Sequence, residues 1–336
     1  MNKQPLLSIC IATYNRAGFI GETLGSIIPQ LTGDTELLVV DGASTDNTEA
    51  VVNRFVSQEP RLRYIRLPQK GGVDQDYCRA VELARGTFCW LFTDDDLLKP
   101  GAISAVLGRI APDVSLIVMN AEVLNADLTK TLQARRVGSG QDRVYERDEF
   151  EALFADTGNY LSFIGGVVIR RELWLQREKT AYFGTEFVHI GAIFQSPLPG
   201  RSILIAQPYV SIRYGNAQWS RRHFEIWMYK WPRLVWSFDG FGERAKAAVT
   251  PREPWRNLLG LAVDRALGLY SRSEFRTYLA KEQSSSFWKL GAFLVASMPI
   301  GMLNAMMTLR YTLAKEKYVW RLHDLRAVRS RRTSDA

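Results

Sequence analysis

Thr87-Phe-Cys-Trp-Leu-Phe-Thr-Asp-Asp-Asp-Leu-Leu-Lys-Pro100 reads as a buried strand running into three consecutive carboxylates. An unbroken apolar run bounded by Gly86 is the pattern of a strand covered on both faces, as in a mostly parallel sheet. Asp94, Asp95 and Asp96 stand where that strand reaches its carboxyl end. Adjacent carboxylates repel and lose hydration there, a cost that a divalent cation would offset. The carboxyl ends of strands are also where open α/β sheets bind ligands. A solvated acidic turn is the plain alternative. Pro100 then opens a helical pattern, as proline does in a first helical turn.

Upstream, the same grammar repeats. Leu6-Leu-Ser-Ile-Cys-Ile-Ala-Thr13 and Glu36-Leu-Leu-Val-Val-Asp41 are strand patterns, and residues 62–67 form a third. Helical patterns separate them: one ends near Pro29, one reaches Phe55, and one follows Gly71-Gly72 to Gly86. Strands alternating with helices predict βαβ units. Asp41 at its strand tip can accept from a base N–H or a ribose hydroxyl, and Ser44, Thr45 and Asp46 can cap the helix that follows. Gly71-Gly72 allows the backbone to approach a ligand. Thr13-Tyr-Asn-Arg-Ala-Gly18 is neither a dinucleotide fingerprint nor a Walker loop, which counts against a dehydrogenase or P-loop kinase.

Downstream, residues 116–119 read as a strand and residues 125–145 as a polar excursion. Residues 162–170 read as a strand whose glycine pair marks close packing. Glu186 and His189 fall at i and i+3, neighbours on one face if their segment is helical. A solvated acid and a partly buried histidine are the plain alternatives. Residues 202–206 and 209–214 read as two strands that close the sheet, and residues 250–282 as amphipathic helix.

Composition is that of a globular protein, with 46% hydrophobic and 23% charged residues over 336 positions. That length suits one large domain with an appendage. Cys10, Cys78 and Cys89 sit in apolar or helical patterns and imply no disulfide framework, as in a reducing cytosol. The first five residues run straight into a strand and show no signal peptide. Seven of the nine tryptophans follow residue 218, starting with Trp219-Ser-Arg-Arg-His223, where aromatics beside arginine suit base stacking, a membrane interface or plain core packing. Residues 290–303 carry no charge, and Pro299 breaks them. Eight of the Lys/Arg side chains follow Leu309, so most of the net +8 belongs to this tail. Tyr311, Tyr318, Leu322 and Leu325 share one helical face, flanked by Arg310, Lys315, Lys317, Arg321 and Arg326, as in helices lying on anionic lipid.

With its tips Thr13-Tyr-Asn-Arg16, Asp41-Gly-Ala-Ser-Thr-Asp46, Gly71-Gly72 and Thr93-Asp-Asp-Asp96 in this order, the chain resembles family 2 glycosyltransferases, in style the bacterial O-antigen and abequosyltransferase-like members. The resemblance is strong to residue 110 and looser to about residue 215. It implies a GT-A fold, Rossmann-like with a mostly parallel sheet, over residues 1–215: donor binding in 1–110 and the acceptor side in 111–215. A helical extension would follow over 216–283 and a membrane-associating helical region over 284–336. It also implies Mg²⁺ or Mn²⁺ and inverting transfer of a hexosyl or deoxyhexosyl group from a nucleotide-sugar, in surface polysaccharide assembly. Carried over by residue, Thr13, Tyr14, Asn15, Arg16, Asp41, Gly72, Asp74 and Asp94 would bind the nucleotide-sugar. Asp95 would be the main metal ligand, assisted by Asp96 or Asp94, since Thr93 replaces the first acid of the usual motif. Glu186 would be the general base, although Phe187 stands where many members carry an aspartate. His189, Trp219, Arg221 and Arg222 are candidates for acceptor or diphosphate contacts.

The chemistry asks for these residue types. Charge builds on the departing diphosphate, which a metal on carboxylates stabilises. The acceptor hydroxyl is a poor nucleophile and needs a carboxylate within reach. A single base attacking opposite the leaving group gives inversion, whereas retention by double displacement needs a carboxylate nucleophile. A nucleotidyltransferase would carry a glycine-rich basic loop after its first strand, and a non-catalytic membrane scaffold would have lost its acids. The expected partners are a nucleotide-sugar, a lipid-linked glycan such as a polyprenyl-diphosphate sugar, and an anionic membrane surface, with no nucleic acid. A cytosolic donor and a basic tail place the protein on the cytoplasmic face of the bacterial inner membrane, peripheral or monotopic. Residues 287–309 would dip into it as a broken, re-entrant or interfacial pair of helices.

Overall fold

Strands β1 (Leu7–Thr13), β2 (Thr35–Asp41) and β4 (Phe88–Phe92) are the apolar runs of the sequence, and they lie side by side in parallel with their side chains almost wholly buried. The computed structural model to which they belong describes residues 4–216, 222–313 and 319–334. Thr13 pairs with Asp41 and Ile11 with Phe92, so the polar tips of all three strands emerge at one edge. That shared edge is what positions the site.

The sheet has ten strands, which add β3 (Leu62–Arg66), β5 (Leu97–Leu98), β6 (Val114–Leu124), β7 (Thr131–Gln133), β8 (Arg143–Tyr145), β9 (Val167–Arg170) and β10 (Arg201–Arg213). Its order is β3-β2-β1-β4-β9-β6-β10-β5, with β7 on β6 and β8 on β10. The long pairings are parallel, and β9 is the antiparallel insert between β4 and β6. Trp90 of β4 is fully buried and donates its indole N–H to Gly165 O at 2.9 Å, the close approach anticipated at the glycine pair. Burial of an aromatic of this kind stabilises by about 1.5–3 kcal/mol.

Helices α1 (Ile20–Ile27), α2 (Thr48–Val56), α3 (Val73–Leu83), α4 (Ala102–Leu107), α5 (Phe150–Thr157), α6 (Arg171–Gln176) and α7 (Val188–Phe194) connect the strands. Helices α8 (His223–Glu225), α9 (Trp231–Trp236) and α10 (Glu243–Val249) follow β10. Phe194 of α7 packs on Phe154 of α5 at 4.9 Å between ring centroids, and Phe154 stacks on Phe241 at 4.1 Å. This aromatic cluster fixes α7.

The chain forms two units, Met1–Asn216 with Leu234–Thr250, and Ala217–Arg233 with Pro251–Ala336. In the second, helices α11 (Leu258–Ala266), α12 (Arg272–Thr277), α13 (Ser286–Ser297), α14 (Ile300–Leu313) and α15 (Val319–Ser334) enclose two small apolar cores. One gathers Phe224, Trp255, Tyr270 and Ala292, the other Ala266, Leu303, Tyr311 and Leu325.

Several segments differ from the sequence reading. Residues 162–166 are tight turns, and the strand begins at Val167. The two closing strands are one, because Pro208 falls in a bulge between Ile205 and Val210 that keeps pairing to β6 on either side. Residues 250–282 break into separate helices, since Gly268 turns at φ +79° and Ser271 caps α12. Tyr311 belongs to α14 while Leu322 and Leu325 belong to α15, so they do not share one helical face, and Tyr318 lies outside the described residues.

Candidate active site

The loops after β1 and β2 are knitted together by their own polar side chains. Asn15, at φ +54°, donates its backbone N–H to Ser44 Oγ at 2.8 Å and accepts the N–H of Thr45 at 2.7 Å. Arg16 N–H reaches Thr48 Oγ1 at 2.9 Å, and Ala17 N–H reaches Asp46 at 3.1 Å. Asn15, expected to bind the donor, braces the two loops. Asp41, also expected at the donor, is fully buried, and its carboxylate accepts from Ser44 N–H at 2.8 Å and from the Tyr64 hydroxyl at 2.5 Å. It shapes the loop that would meet a base. Tyr14 is half-buried, with the Lys70 ammonium 3.7 Å from its ring centroid.

The acid tip separates into two outward carboxylates and one inward. Asp96 is 2% exposed and uses both oxygens inside the protein, one for Thr93 Oγ1 and one for the backbone N–H of Arg213 at 2.7 Å. Asp96, expected to assist the metal, thereby ties the acid tip to β10. Asp94 and Asp95 flank Arg16, whose Nε stands 3.3 Å from Asp94 and whose Nη2 stands 3.2 Å from Asp95. Asn216 donates to Asp95 at 2.9 Å. Burial pushes Asp94 up to about 7, aided by the charge of Asp95 and opposed by Arg16 and the neighbouring Thr13 hydroxyl. Asp95 is raised by the same burial, against the pull of Arg16, Asn216 and Arg213.

This donor set fits a divalent cation. Among the described residues no three His, Cys, Asp or Glu side chains form a cage of their own. A hard cation such as Mg²⁺ is, however, commonly held by one or two carboxylates and completed by substrate phosphates. Asp94 and Asp95 would supply that pair, and burial raises the affinity of both for protons against the pull of Arg16.

Glu186 lies before α7, not in it, in a left-handed conformation at φ +75°. It and His189 consequently do not share a helical face. His189, a candidate for acceptor or diphosphate contact, is 2% exposed, its Nε2 lies 2.8 Å from Leu161 O, and burial lowers its pKa to about 4. Asp74, expected to bind the nucleotide-sugar, meets the same segment. One of its oxygens accepts from Gly184 N–H at 2.8 Å and Glu186 N–H at 3.0 Å, the other from Val188 N–H at 3.0 Å. It thus anchors the loop that carries Glu186. Gly72 caps α3 two residues earlier at φ +89°, a conformation that favours glycine.

A further site residue, Arg213, escaped the sequence reading. It is buried, donates from Nε to Asp95 O at 3.1 Å and from Nη1 to Ala126 O at 2.9 Å, and pairs with Glu22. Its guanidinium and that of Arg16 lie 5.3 and 5.5 Å from the Phe19 ring centroid. Asn216, which donates to Asp95, escaped it as well. Arg213-Tyr-Gly-Asn216, polar residues at a strand's carboxyl end, was the available signal. Arg222 is exposed beside α8, and Trp219 and Arg221 lie outside the described residues.

Abequosyltransferase RfbV of Salmonella typhimurium is 26% identical over 206 residues, 57% of this chain and 62% of that protein. Hyaluronan synthase of Pasteurella multocida is 34% identical over 116 residues, 34% of this chain and 12% of that protein. The chain thus spans less than two thirds of either relative. Crystal structures of S. aureus TarS 1–349 superpose with TM-scores of 0.57 for the UDP complex and 0.53 for the UDP-GlcNAc complex. These cover 98% and 96% of this chain, and 92% and 91% of TarS 1–349, at 17% and 16% identity, a likeness of fold, which is GT-A. The family model for glycosyl transferase family 2 matches residues 8–177, half the chain, from β1 through the acid tip to α6, and the chain belongs to that family.

Proposed function

We propose that the chain transfers a sugar, with inversion, from a nucleotide-sugar to a hydroxyl of a lipid-linked glycan at the cytoplasmic face of a bacterial membrane. The observation that carries this reading is the Asp94–Asp95 pair, set beside Arg16 at the tip of β4 while Asp96 is turned inward. A divalent cation on that pair would stabilise the departing diphosphate. Arg16 adds a second positive charge there, and Lys70 and Tyr14 flank the opening where the nucleotide enters. Glu186 takes the proton of the acceptor hydroxyl as that oxygen attacks the anomeric carbon. One base and no carboxylate nucleophile is the requirement for inversion.

The second unit supports the membrane part of the reading. Among the described residues no single helix is long and apolar enough to cross a membrane, and α13 and α14 meet at a 100° bend. Their outer faces are nonetheless apolar: Phe287, Leu290 and Leu294 on one, Met302, Met306, Leu309 and Leu313 on the other, with Phe287 87% exposed. Asn304 faces inward and donates to Leu325 O at 2.9 Å. Helices with one face in a protein core and an apolar face outward suit an interfacial seat, where Arg310, Arg321, Arg326 and Arg329 can meet anionic headgroups.

Thermal-shift screening with UDP, GDP, dTDP and CDP, with and without Mn²⁺, tests the donor site. One nucleotide should stabilise the chain in a metal-dependent way, with UDP the first to try because TarS binds it. NMR of the transferred sugar should then show the opposite anomer to that of the donor. Retained configuration would refute the single-base reading.

A further inference from the structure

Residues 184–188 wrap around a single carboxylate from a different part of the chain. The backbone N–H groups of Gly184, Glu186 and Val188, at alternate positions, all point to Asp74 at 2.8–3.0 Å. Asp74 is 5% exposed and sits in the first turn of α3, where the helix dipole favours a negative charge. Glu186 pays for its place with a left-handed backbone, a conformation that costs a non-glycine residue about 1–2 kcal/mol. Such strain persists only where surrounding bonds over-determine it. Gly191 shows how tightly the segment is held from the other side, since a Cβ there would lie 2.2 Å from the Tyr182 ring.

We propose that Asp74 is a positioning residue for the reaction: it holds the Glu186 backbone so that its carboxylate faces the acceptor. This rests on the reading of Glu186 as general base. Asp74 also follows Gly71-Gly72, the turn expected to approach the donor, so the donor side of the fold sets the geometry of the base. Asn at position 74 tests the idea with little change in shape. It would turn an amide NH₂ toward one group of N–H donors, leaving that group unpaired.

The experiment is a double-mutant cycle of Asp74→Asn and Glu186→Gln in the full chain, read as nucleoside diphosphate release from whichever UDP-, GDP-, dTDP- or CDP-sugar the native chain turns over. Asp74→Asn alone should lower kcat by about 10–100-fold, the usual effect of misplacing a catalytic group by an ångström, with the KM for donor within about twofold. In the Glu186→Gln background the same substitution should change kcat by less than about twofold. Equal losses in both backgrounds, or no loss in either, would overturn the proposal. A Glu186→Gln chain that is itself fully active would instead overturn the base assignment, and with it the role of Asp74. Should Asp74→Asn not fold, hydrogen exchange on the native chain decides: the amides of Gly184, Glu186 and Val188 should be protected together, and fast exchange at all three would refute the clamp.

Discussion

Arg16 lies between two carboxylates with its Nη2 3.2 Å from Asp95, so the acid tip carries its own cation. That guanidinium compensates part of the charge, and the outward pair still holds its protons more tightly than carboxylates ordinarily do. Arg16→Ala should therefore destabilise the chain by about 3 kcal/mol in metal-free buffer, the scale of an uncompensated buried pair. Added Mn²⁺ should raise the Tm of the variant more than that of the native chain. Equal shifts for the two would show that Arg16 and a cation do not serve the same carboxylates.

Asp95→Asn removes a carboxylate that would hold the cation and leaves the Asn216 contact replaceable by an amide. Metal-dependent stabilisation by nucleotide should vanish while the Tm without ligand changes little. Turnover should fall at least about 10²-fold, as when a charge-stabilising group is lost. Near-native turnover would put the metal elsewhere.

The second unit has a pH signature of its own. Asp264 is buried in α11, with one carboxylate oxygen unpartnered, and burial pushes it up to about 7 against the pull of Arg321. Its folded state binds the proton more tightly than the unfolded chain, so stability is lost as pH rises from near 4 toward 7 and stays lower above that. Asp264→Asn should leave Tm unchanged at about pH 4 and raise it by several degrees at about pH 8. A difference independent of pH would contradict burial of the charge as its cause.

Membrane seating is best tested on the exposed apolar face, because truncating before α13 would remove Ala292, Ala296 and Leu303 from the two small cores. Phe287, Leu290 and Leu294 are all more than half exposed, so replacing the three with serine should leave the fold intact. Binding to vesicles containing anionic phospholipid should drop about 100-fold or more, since each large apolar side chain contributes roughly 1.5 kcal/mol on burial. Unchanged co-sedimentation would mean that this face does not enter the bilayer surface.

The parallel heart of the fold was legible because β1, β2 and β4 are unbroken apolar runs with polar tips, a pattern that needs no partner to be read. The site residues recruited by long-range contacts were not. Asp74 anchors N–H groups more than a hundred residues away, and nothing local to Val73-Asp74-Gln75 distinguishes that role from a helix-start acid. The left-handed Glu186 was hidden because Gly184, two residues before it, is the residue that usually signals such backbone, and Gly184 is itself left-handed. Arg213 and Asp96 belong to the same class, a buried pairing between the acid tip and β10 that strand periodicity cannot foretell.

Glu186 as the base of a sugar transfer is the assignment on which the rest depends. Single-turnover rates for the native chain and Glu186→Gln, with the donor that the nucleotide screen identifies, test it directly. Donor affinity should be unchanged and the rate lowered about 10²–10⁴-fold, the range of general base catalysis. A Glu186→Gln chain that transfers sugar at the native rate would contradict it.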